Sequence, residues 1–268
     1  MSDRDVAALL STYDAQLRAH VPDPLPDGIR VERDGPLLRT FGFGDRGWVE
    51  YRDLGGLEGR ELDRLIARQV RTFAERREPF EWKLHGHDRP ADLAERLRSA
   101  GLVPEDVETV VIAPVAAVSA EASVPEGVTV REVYERVDLE RIAEMEQAIW
   151  KEDHGWLADN LGQERAADPD GLTIVVAEAG DTVVCAGWVR FPSGTEFATL
   201  WGGATRPGWR GRGIYRALVA YRARLAAQRG RRYLEVDASD ASRPILERLG
   251  FVAVTTTTPF VWSPPAAV

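Results

Sequence analysis

The sequence predicts an α/β protein built on a mixed β-sheet with flanking helices, and three observations lead to this fold class. Segments with the two-residue alternation of strands are interleaved with segments whose apolar residues recur at helical spacing. The order of these segments in the first half of the chain returns in outline in the second half. A turn rich in glycine and arginine, residues 210–215, stands between a predicted strand and a long amphipathic helix.

The N-terminal half is separated from the rest by a run of small residues with flanking prolines, residues 113–126, which we interpret as an interdomain linker. Residues 1–112 then form the first domain. Within it we expect helices over residues 3–17, 58–76 and 90–99, and strands over residues 29–33, 37–43, 48–51, 80–84 and 102–112.

The second domain is predicted over residues 127–262 and is followed by a loose tail, residues 263–268. Asp138 is expected to cap its first helix, and Gly180-Asp181 is expected to join two strands as a hairpin turn. Strands are predicted over residues 128–133, 172–179, 182–191, 196–205, 233–238 and 251–262, and the later helices over residues 214–230 and 243–249.

The two halves close with the same succession of features: a strand, a helix containing Pro and Leu, a glycine, an apolar residue, a valine and a strand. We interpret this succession as an internal repeat of a whole domain that has diverged strongly. The alternative interpretation is that two unrelated α/β segments share a common pattern.

The composition excludes several classes of protein. With 268 residues, of which 44% are hydrophobic, the chain can build a sizeable core. No apolar run approaches the roughly 18 residues of a membrane helix, and Ser2-Asp3-Arg4-Asp5 is too charged to begin a signal peptide. We therefore expect a cytoplasmic protein that does not bind membranes. The net charge of −9 argues against a general affinity for nucleic acid.

The cysteine and histidine residues predict no metal site. Cys185, the single cysteine, excludes an internal disulfide and lies in an apolar segment typical of a buried strand. Among the histidines, only His85-Gly86-His87-Asp88 has the spacing of metal ligands, and no second cluster completes it.

The positive charge is concentrated in one segment. From Arg206 to Arg232 there are nine arginines and no acidic residue, which indicates a local anionic ligand. The N-terminus of the helix that begins at residue 214 offers unpaired N–H groups and a partial positive charge to phosphate oxygens. Gly211 and Gly213 allow the backbone to approach the anion closely, and Arg210, Arg212 and Arg216 can add charge-assisted hydrogen bonds.

Spacing distinguishes this turn from two common phosphate motifs. A Walker loop requires Gly-Lys-Ser or Gly-Lys-Thr, and the turn contains no lysine. A dinucleotide fingerprint requires a third glycine at position 216, which is Arg216 here.

The segment 207–214, Pro-Gly-Trp-Arg-Gly-Arg-Gly-Ile, resembles the acetyl-CoA turn of the GCN5-related N-acetyltransferase (GNAT) family, and Leu249-Gly250-Phe251 resembles that family's closing helix-to-strand signature. The resemblance covers roughly residues 128–262 and implies the acyl-CoA N-acyltransferase fold. With the repeat, it implies two tandem GNAT-like domains. It further implies that acetyl-CoA is the donor and that these residues bind it: Gly203, Ala204, Thr205, Arg210, Gly211, Arg212, Gly213, Ile214 and Tyr215.

Two residues depart from the family's pattern. Tyr215 stands where the family usually has Gly or Ala, which predicts a tighter turn, a tyrosine directed into a neighbouring pocket, or a tyrosine on the helix surface. Leu246 stands where the family often has a tyrosine that protonates the leaving thiolate. In the first domain, the corresponding turn, residues 53–61, carries carboxylates that would repel a pyrophosphate. We expect that domain to be degenerate, to lack CoA, and to help shape the acceptor pocket.

The resemblance implies that a primary amine of a small molecule or peptide attacks the thioester directly in a ternary complex. Because a free amine has a pKa of about 10, a nearby carboxylate should receive its proton. Glu196, Glu235 and Asp237 are the candidates, and the alternative for each is an ordinary strand-end or ion-paired carboxylate. The acceptor pocket could be lined by aromatic residues that are otherwise core residues: Trp150, His154, Trp156, Trp188 and Trp201.

Two other functions remain open from the sequence. The absence of the tyrosine at Leu246 is compatible with a CoA-binding sensor or scaffold that does not catalyse transfer. The arginine-rich segment is compatible with a nucleic-acid binder, although the resemblance directs its first arginines to CoA. The sequence is compatible with a monomer or a homodimer.

Overall fold

The computed structural model describes residues 2–119 and 123–265, whose strands form one twelve-stranded mixed sheet. The strands are β1 (Arg30–Asp34), β2 (Leu37–Phe41), β3 (Gly47–Glu50), β4 (Phe80–His85), β5 (Val103–Pro104), β6 (Glu108–Pro114), β7 (Thr129–Val133), β8 (Leu172–Ala179), β9 (Thr182–Arg190), β10 (Phe197–Thr205), β11 (Tyr233–Ala238) and β12 (Val252–Trp262). The helices are α1 (Asp3–Gln16), α2 (Gly59–Arg76), α3 (Leu93–Ser99), α4 (Val115–Val118), α5 (Arg136–Trp150), α6 (Trp156–Ala167), α7 (Ile214–Gln228) and α8 (Arg243–Arg248).

The two halves of the chain exchange their last strands. The sheet order is β1-β2-β3-β4-β12-β6-β11-β10-β9-β8-β7, with β5 paired to β12. The last strand of the N-terminal half, β6, lies antiparallel to β11, and the last strand of the C-terminal half, β12, lies antiparallel to β4. Each half therefore completes the sheet of the other.

Helices cover both faces of the C-terminal half. On one face α7 and α8 pack through Val219, Ala223 and Leu246 onto alternate residues of β6, β10 and β11. On the other face α5 and α6 cover Ile174, Val176 and neighbouring apolar residues of β8 and β9. This layering follows from the continuous apolar character of these strands, which bury both faces.

In the N-terminal half, α2 and α3 cover the face that carries Trp82 and Phe260. The opposite face of β3 and β4 carries Glu50, Glu81 and Lys83 and lines a large cavity. Helix α1 packs at the centre of the sheet, where its Leu9 and Tyr13 contact β6 and the start of β10.

The predicted elements are largely confirmed, with three local corrections. The predicted start of the linker is wrong, because residues 113–114 belong to β6 and Val115 and Val118 are buried in α4, which packs against α7. Residues 120–122 of that linker, and 266–268 of the tail, lie outside the described residues. The strand predicted over 102–112 is divided, because residues 103–104 pair with β12 as a separate strand.

The third correction concerns Asp138, which lies inside the first turn of α5 instead of capping it. The cap residue is Glu135, and Asp138 accepts hydrogen bonds from Arg131 and Arg141. Within the described ranges, no helix is both long enough and apolar enough to cross a bilayer.

Candidate active site

Strands β10 and β11 separate in the middle of the sheet and open one end of the cavity. They pair in parallel only from Phe197 to Thr199 on β10, although β10 continues to Thr205. Beyond the pairing, β10 carries an irregularity against β9 between Gly202 and Thr205. Gly202 and Gly203 have positive φ values of 65° and 95° there, which interrupts the regular strand conformation of β10. The strand backbone that the sequence predicts to contact the donor therefore lines the cavity.

The glycine-arginine turn lies beside this opening. Helix α7 begins at Ile214, and Gly213 is its N-cap residue, with φ 84° and without a side-chain cap. Gly211 also has a positive φ, 76°, and a Cβ built there would meet no atom within 4 Å. The glycines are thus required by backbone conformation, and the first-turn N–H groups of α7 are left to other acceptors.

The arginines near the turn have different partners. Arg206 and Arg210 donate to the carbonyl oxygens of Val183 and Thr205 at 2.8 and 3.0 Å. The Arg212 guanidinium stacks 4.6 Å from the centre of the Trp209 ring. Farther along the segment, Arg229 and Arg231 donate to backbone carbonyls, and Arg232 pairs with Glu196. Several of the nine arginines are therefore engaged in holding the fold.

Arg222 was missed by the sequence reasoning and is almost completely buried, with 1% of its surface exposed. Its Nη1 atom donates to the carbonyl oxygens of Trp188 and Trp201 at 3.2 and 2.9 Å, which joins β9 to the irregular part of β10. Burial lowers its pKa. The sequence signal for a buried structural role was the position of Arg222 itself, a charged residue four places after Leu218 on the apolar side of the predicted helix.

Tyr215 packs against β10 and does not lie on the helix surface. A Cβ added at Gly203 would lie 2.7 Å from Cε2 of Tyr215, so the ring occupies the space that the glycine leaves. The side chain lines the cavity, and burial raises its pKa. Of the interpretations given by the sequence, the structure supports a tyrosine directed into the pocket.

Glu235 and Asp237 lie on the same face of β11 and line the cavity. Glu235 is 6% exposed and stands at the last residue paired with β10, where the two strands separate. Its pKa is raised by burial and by the Asp237 carboxylate, with Lys83 acting in the opposite direction. Lys83 of β4 forms an ion pair with Asp237, so the N-terminal half contributes directly to this site.

Lys83 is the second residue that the sequence reasoning missed. Burial opposes its charge, but Asp237, Tyr13 and Glu81 raise the pKa of its ammonium group. No local motif marks it, because it lies 154 residues from Asp237 and meets it only through the exchanged strands.

Glu196 is placed apart from the other candidates. It precedes β10, pairs with Arg232 and accepts a hydrogen bond from Gln16 Nε2 at 3.0 Å. These hydrogen bonds, from Gln16 first and then Arg232, lower its pKa. The cavity lining, as described, contains Glu235 and Asp237 but not Glu196. The position of the family's tyrosine, Leu246, is fully buried in the core.

The five aromatic candidates all line the cavity: Trp150, His154, Trp156, Trp188 and Trp201. The Trp188 ring packs on Gly202, where an added Cβ would lie 2.6 Å from the ring. His154 stacks on Trp156, and Trp201 Nε1 donates to Thr199 at 2.8 Å. These residues are part of the lining of a cavity of about 2300 Å³.

The two other sequence features are the N-terminal counterpart of the turn and the His85–Asp88 segment, of which His85 lines the cavity. In the N-terminal half, α2 begins after Glu58, and Glu61 lies in its first turn, so carboxylates stand where the second half has its glycine-arginine turn. His87 Nε2 lies 3.1 Å from Asp14, and His85 Nε2 lies 3.0 Å from the Tyr13 hydroxyl. Across residues 2–119 and 123–265, no three His, Cys, Asp or Glu side chains are gathered to hold a metal ion.

An opened pair of parallel strands beside an uncapped, glycine-flanked helix N-terminus defines a class of α/β protein that can hold a phosphate-bearing ligand at the carboxyl ends of these strands. Residues 139–251 match the model of the acetyltransferase (GNAT) family. This segment of the C-terminal half is therefore similar to GNAT acetyltransferases. A search of the curated proteins finds no match.

Solved structures share the fold over most or all of the chain. A GCN5-related N-acetyltransferase from Kribbella flavida is 16% identical, with 98% of this chain and 95% of that chain covered and a TM-score of 0.65. A tandem GNAT protein from the clavulanic acid biosynthesis pathway is 14% identical, with 100% and 97% covered and a TM-score of 0.65. A GCN5-related N-acetyltransferase from Sphaerobacter thermophilus is 14% identical, with 88% and 76% covered and a TM-score of 0.59. The predicted fold class, a mixed α/β sheet with tandem GNAT-like units, is confirmed.

Proposed function

We propose that the protein is an N-acetyltransferase that moves an acetyl group from acetyl-CoA to a primary amine of a small molecule or peptide. The observation that carries this proposal is that the turn at Gly213, the opened edge of β10 and the Glu235–Asp237 pair all face one cavity. The match of residues 139–251 to the GNAT family model supports the reaction type.

The residues around the opening fit an acetyl-CoA donor. The first-turn N–H groups of α7, with Gly211 and Gly213, would hold the pyrophosphate, and Arg212 and Arg216 would add positive charge. The backbone of Gly203, Ala204 and Thr205 would hydrogen-bond the pantetheine arm, because β11 has diverged from this part of β10.

Acetyl-CoA supplies an activated acetyl group. In the ternary complex the amine nitrogen bonds to the acetyl carbon, the carbon–sulfur bond breaks, and sulfur leaves with the bonding electrons and a proton as the CoA thiol. The acceptor enters as an ammonium group; its nitrogen gives one proton to the Glu235–Asp237 pair before the attack and a second proton to the leaving sulfur, so the products are the amide and the CoA thiol. Glu235 suits this role because burial raises its pKa and makes its carboxylate a stronger base than an exposed one. Lys83 orients Asp237 through their ion pair.

Thiol release from acetyl-CoA in the presence of a panel of primary amines tests this proposal. We expect amine-dependent release by the wild-type protein and its near-complete loss in Glu235→Gln, because a glutamine side chain cannot accept the proton. Glu196→Gln is the matched control and should retain activity, since Glu196 pairs with Arg232 away from the cavity. Release that is unaffected by Glu235→Gln would contradict the assigned role.

A CoA-binding sensor is the second candidate, favoured by the fully buried Leu246 at the position of the family's tyrosine. Tight acetyl-CoA binding without thiol release for any amine would support the sensor. The nucleic-acid hypothesis has less support, because Arg222 is buried and Arg229, Arg231 and Arg232 are engaged with backbone or carboxylate oxygens.

A further inference from the structure

A buried tyrosine and a buried histidine from the N-terminal half meet at the cavity. Tyr13 of α1 and His85 of β4 are each 5% exposed, and both line the cavity. The Tyr13 hydroxyl lies 3.0 Å from Nε2 of His85 and makes no other hydrogen bond with the residues that the structure describes. A hydroxyl group can donate one hydrogen bond and accept two, so what it offers to the cavity depends on whether Tyr13 or His85 is the donor.

The surroundings of the His85 ring favour a neutral imidazole with its proton on Nδ1. Nδ1 is buried without a hydrogen-bond partner, and Oδ2 of Asp88 lies 3.9 Å from it. The Asp88 carboxylate is fixed by Arg18 and by the Tyr51 hydroxyl, which donate to it at 2.7 and 2.6 Å. A proton on Nδ1 is attracted by this carboxylate, whereas a lone pair would be repelled. Burial first, and then the charge of Arg18, lowers the pKa of His85 to about 2, so the ring is neutral.

This tautomer makes Tyr13 the donor of the hydrogen bond. With its proton on Nδ1, the His85 ring can only accept at Nε2, so the Tyr13 hydroxyl donates to it. In the opposite arrangement the Tyr13 proton would have no acceptor within hydrogen-bonding distance among the described residues, which is costly for a buried group. Both lone pairs of the Tyr13 oxygen are therefore left for donors that enter the cavity.

Tyr13 lies beside the Glu235–Asp237 pair. It packs on Val110 and Ile112 of β6, and the register of β6 with β11 makes Asp237 the partner of Val110 and Glu235 the partner of Ile112. The side chains of such partners lie on the same face of a sheet, about 5 Å apart. Burial first, and then the Asp237 carboxylate, raises the pKa of Tyr13 well above its usual value, so its hydroxyl stays neutral.

We propose that the Tyr13 oxygen accepts a hydrogen bond from the reacting nitrogen of the amine acceptor and that His85 is the positioning residue for Tyr13. This inference rests on the proposed acetyl transfer for the role of Glu235. A primary ammonium group has three N–H donors. One proton passes to the Glu235–Asp237 pair, one passes to the leaving sulfur, and the third stays in the amide product. The Tyr13 oxygen binds the N–H that stays, which holds the nitrogen in place while the other two protons leave.

Thiol release with butylamine as the acceptor tests the role of Tyr13. Tyr13→Phe removes only the hydroxyl and should lower kcat/KM for butylamine at least about tenfold, because one hydrogen bond to the nitrogen is lost. The dissociation constant of acetyl-CoA, measured by calorimetry, should stay unchanged. Tyr221→Phe is the matched control and should keep the wild-type kcat/KM, since the Tyr221 hydroxyl donates to Glu132 at 3.2 Å and lies outside the described lining of the cavity.

His85→Leu tests whether His85 acts through Tyr13. Without Nε2 the Tyr13 hydroxyl can rotate and donate into the cavity, so kcat/KM for butylamine should fall about tenfold although Tyr13 is intact. The double variant Tyr13→Phe/His85→Leu should lose no more than either single variant. Losses that multiply in the double variant would overturn the positioning role.

Nitrogen-15 NMR of the wild-type protein tests the tautomer without relying on the folding of a variant. The His85 ring should be neutral, with Nδ1 protonated and Nε2 shifted by the hydrogen bond from Tyr13. A proton on Nε2 would overturn the inference, and so would titration of His85 near the ordinary histidine pKa of about 6.5.

Calorimetric titration with butylamine separates this inference from the proposed function. Butylamine binding that weakens about tenfold in Tyr13→Phe, without thiol release by the wild-type protein for any amine, would refute the transferase and leave the amine site at Tyr13 standing. Acetyl transfer to butylamine with the same kcat/KM in Tyr13→Phe and in the wild-type protein would refute the site at Tyr13 and leave the transferase standing. The absence of both amine binding and transfer would refute both.

Discussion

Replacing Gly213 by aspartate places a carboxylate at the N-terminus of α7, where the donor pyrophosphate would lie. Any side chain at this position is strained by the φ of 84°, which costs about 1 kcal/mol. Gly213→Ala has the same strain without the charge. Because this strain is present in the free and the bound protein alike, the alanine variant should bind acetyl-CoA nearly as tightly as the wild-type protein.

The aspartate adds repulsion of the bound anion. At an effective dielectric constant of about 20 and a separation of about 6 Å, two unit charges repel by about 3 kcal/mol, which weakens binding about 100-fold. Isothermal titration calorimetry with acetyl-CoA measures the difference between the two variants, and added salt should reduce it because the turn is open to solvent. Equal dissociation constants for the folded Ala and Asp variants would refute the placement of the pyrophosphate at this turn.

Three further predictions follow from the contacts in the site. Glu235→Gln should lower kcat at least about 100-fold and leave the acetyl-CoA affinity unchanged, as measured by thiol release and calorimetry; a purely structural role would also weaken binding. Arg222→Met should lower the free energy of unfolding in urea by about 2 kcal/mol, because the carbonyls of Trp188 and Trp201 lose their donor; an unchanged midpoint would contradict this role. Glu81→Gln should be more stable than the wild-type protein at pH 8 by up to about 3 kcal/mol and equally stable near pH 4, since the folded-state pKa of Glu81 is raised to about 7 by burial. Because the folded state prefers the protonated carboxyl of Glu81, the wild-type protein loses this contribution to its free energy of unfolding as the pH rises from the unfolded-state pKa of Glu81 to about 7. Urea denaturation of both proteins at pH 4 and at pH 8 measures the difference.

The structure of the glycine-arginine turn could be predicted because its determinants are local. A strand, two glycines and an amphipathic helix follow one another in the chain, and the helix predicted over residues 214–230 is found at Ile214–Gln228. The alternation of side chains along a strand likewise places Glu235 and Asp237 on one face. The sequence could not show which of Glu196 and Glu235 is the better candidate base, because only the packed structure shows that Arg232 and Gln16 engage Glu196.

The exchange of β6 and β12 could not be predicted, because the sequence pattern is satisfied equally well when each strand pairs within its own half and when the two strands are exchanged. Both strands follow a short helix and a glycine, and β4 and β11 each accept an antiparallel neighbour. Sequence periodicity states which residues face the core but not which strand lies alongside. The ion pair of Lys83 with Asp237 could not be predicted for the same reason, since it depends on strand pairing between the two halves.

The exchanged strands also explain why a half that lacks a phosphate turn can still serve the reaction proposed for the other half. Since β12 completes the N-terminal sheet and β6 completes the C-terminal sheet, the acidic face of β3 and β4 is held in fixed relation to the opening between β10 and β11. The positive turn at Gly213 and the acidic group around Glu81 then lie at different parts of one cavity. An anionic donor would be attracted to the turn and repelled from the acidic face, and an ammonium acceptor would experience the reverse, so the charge distribution would set the orientation in which the two proposed substrates meet.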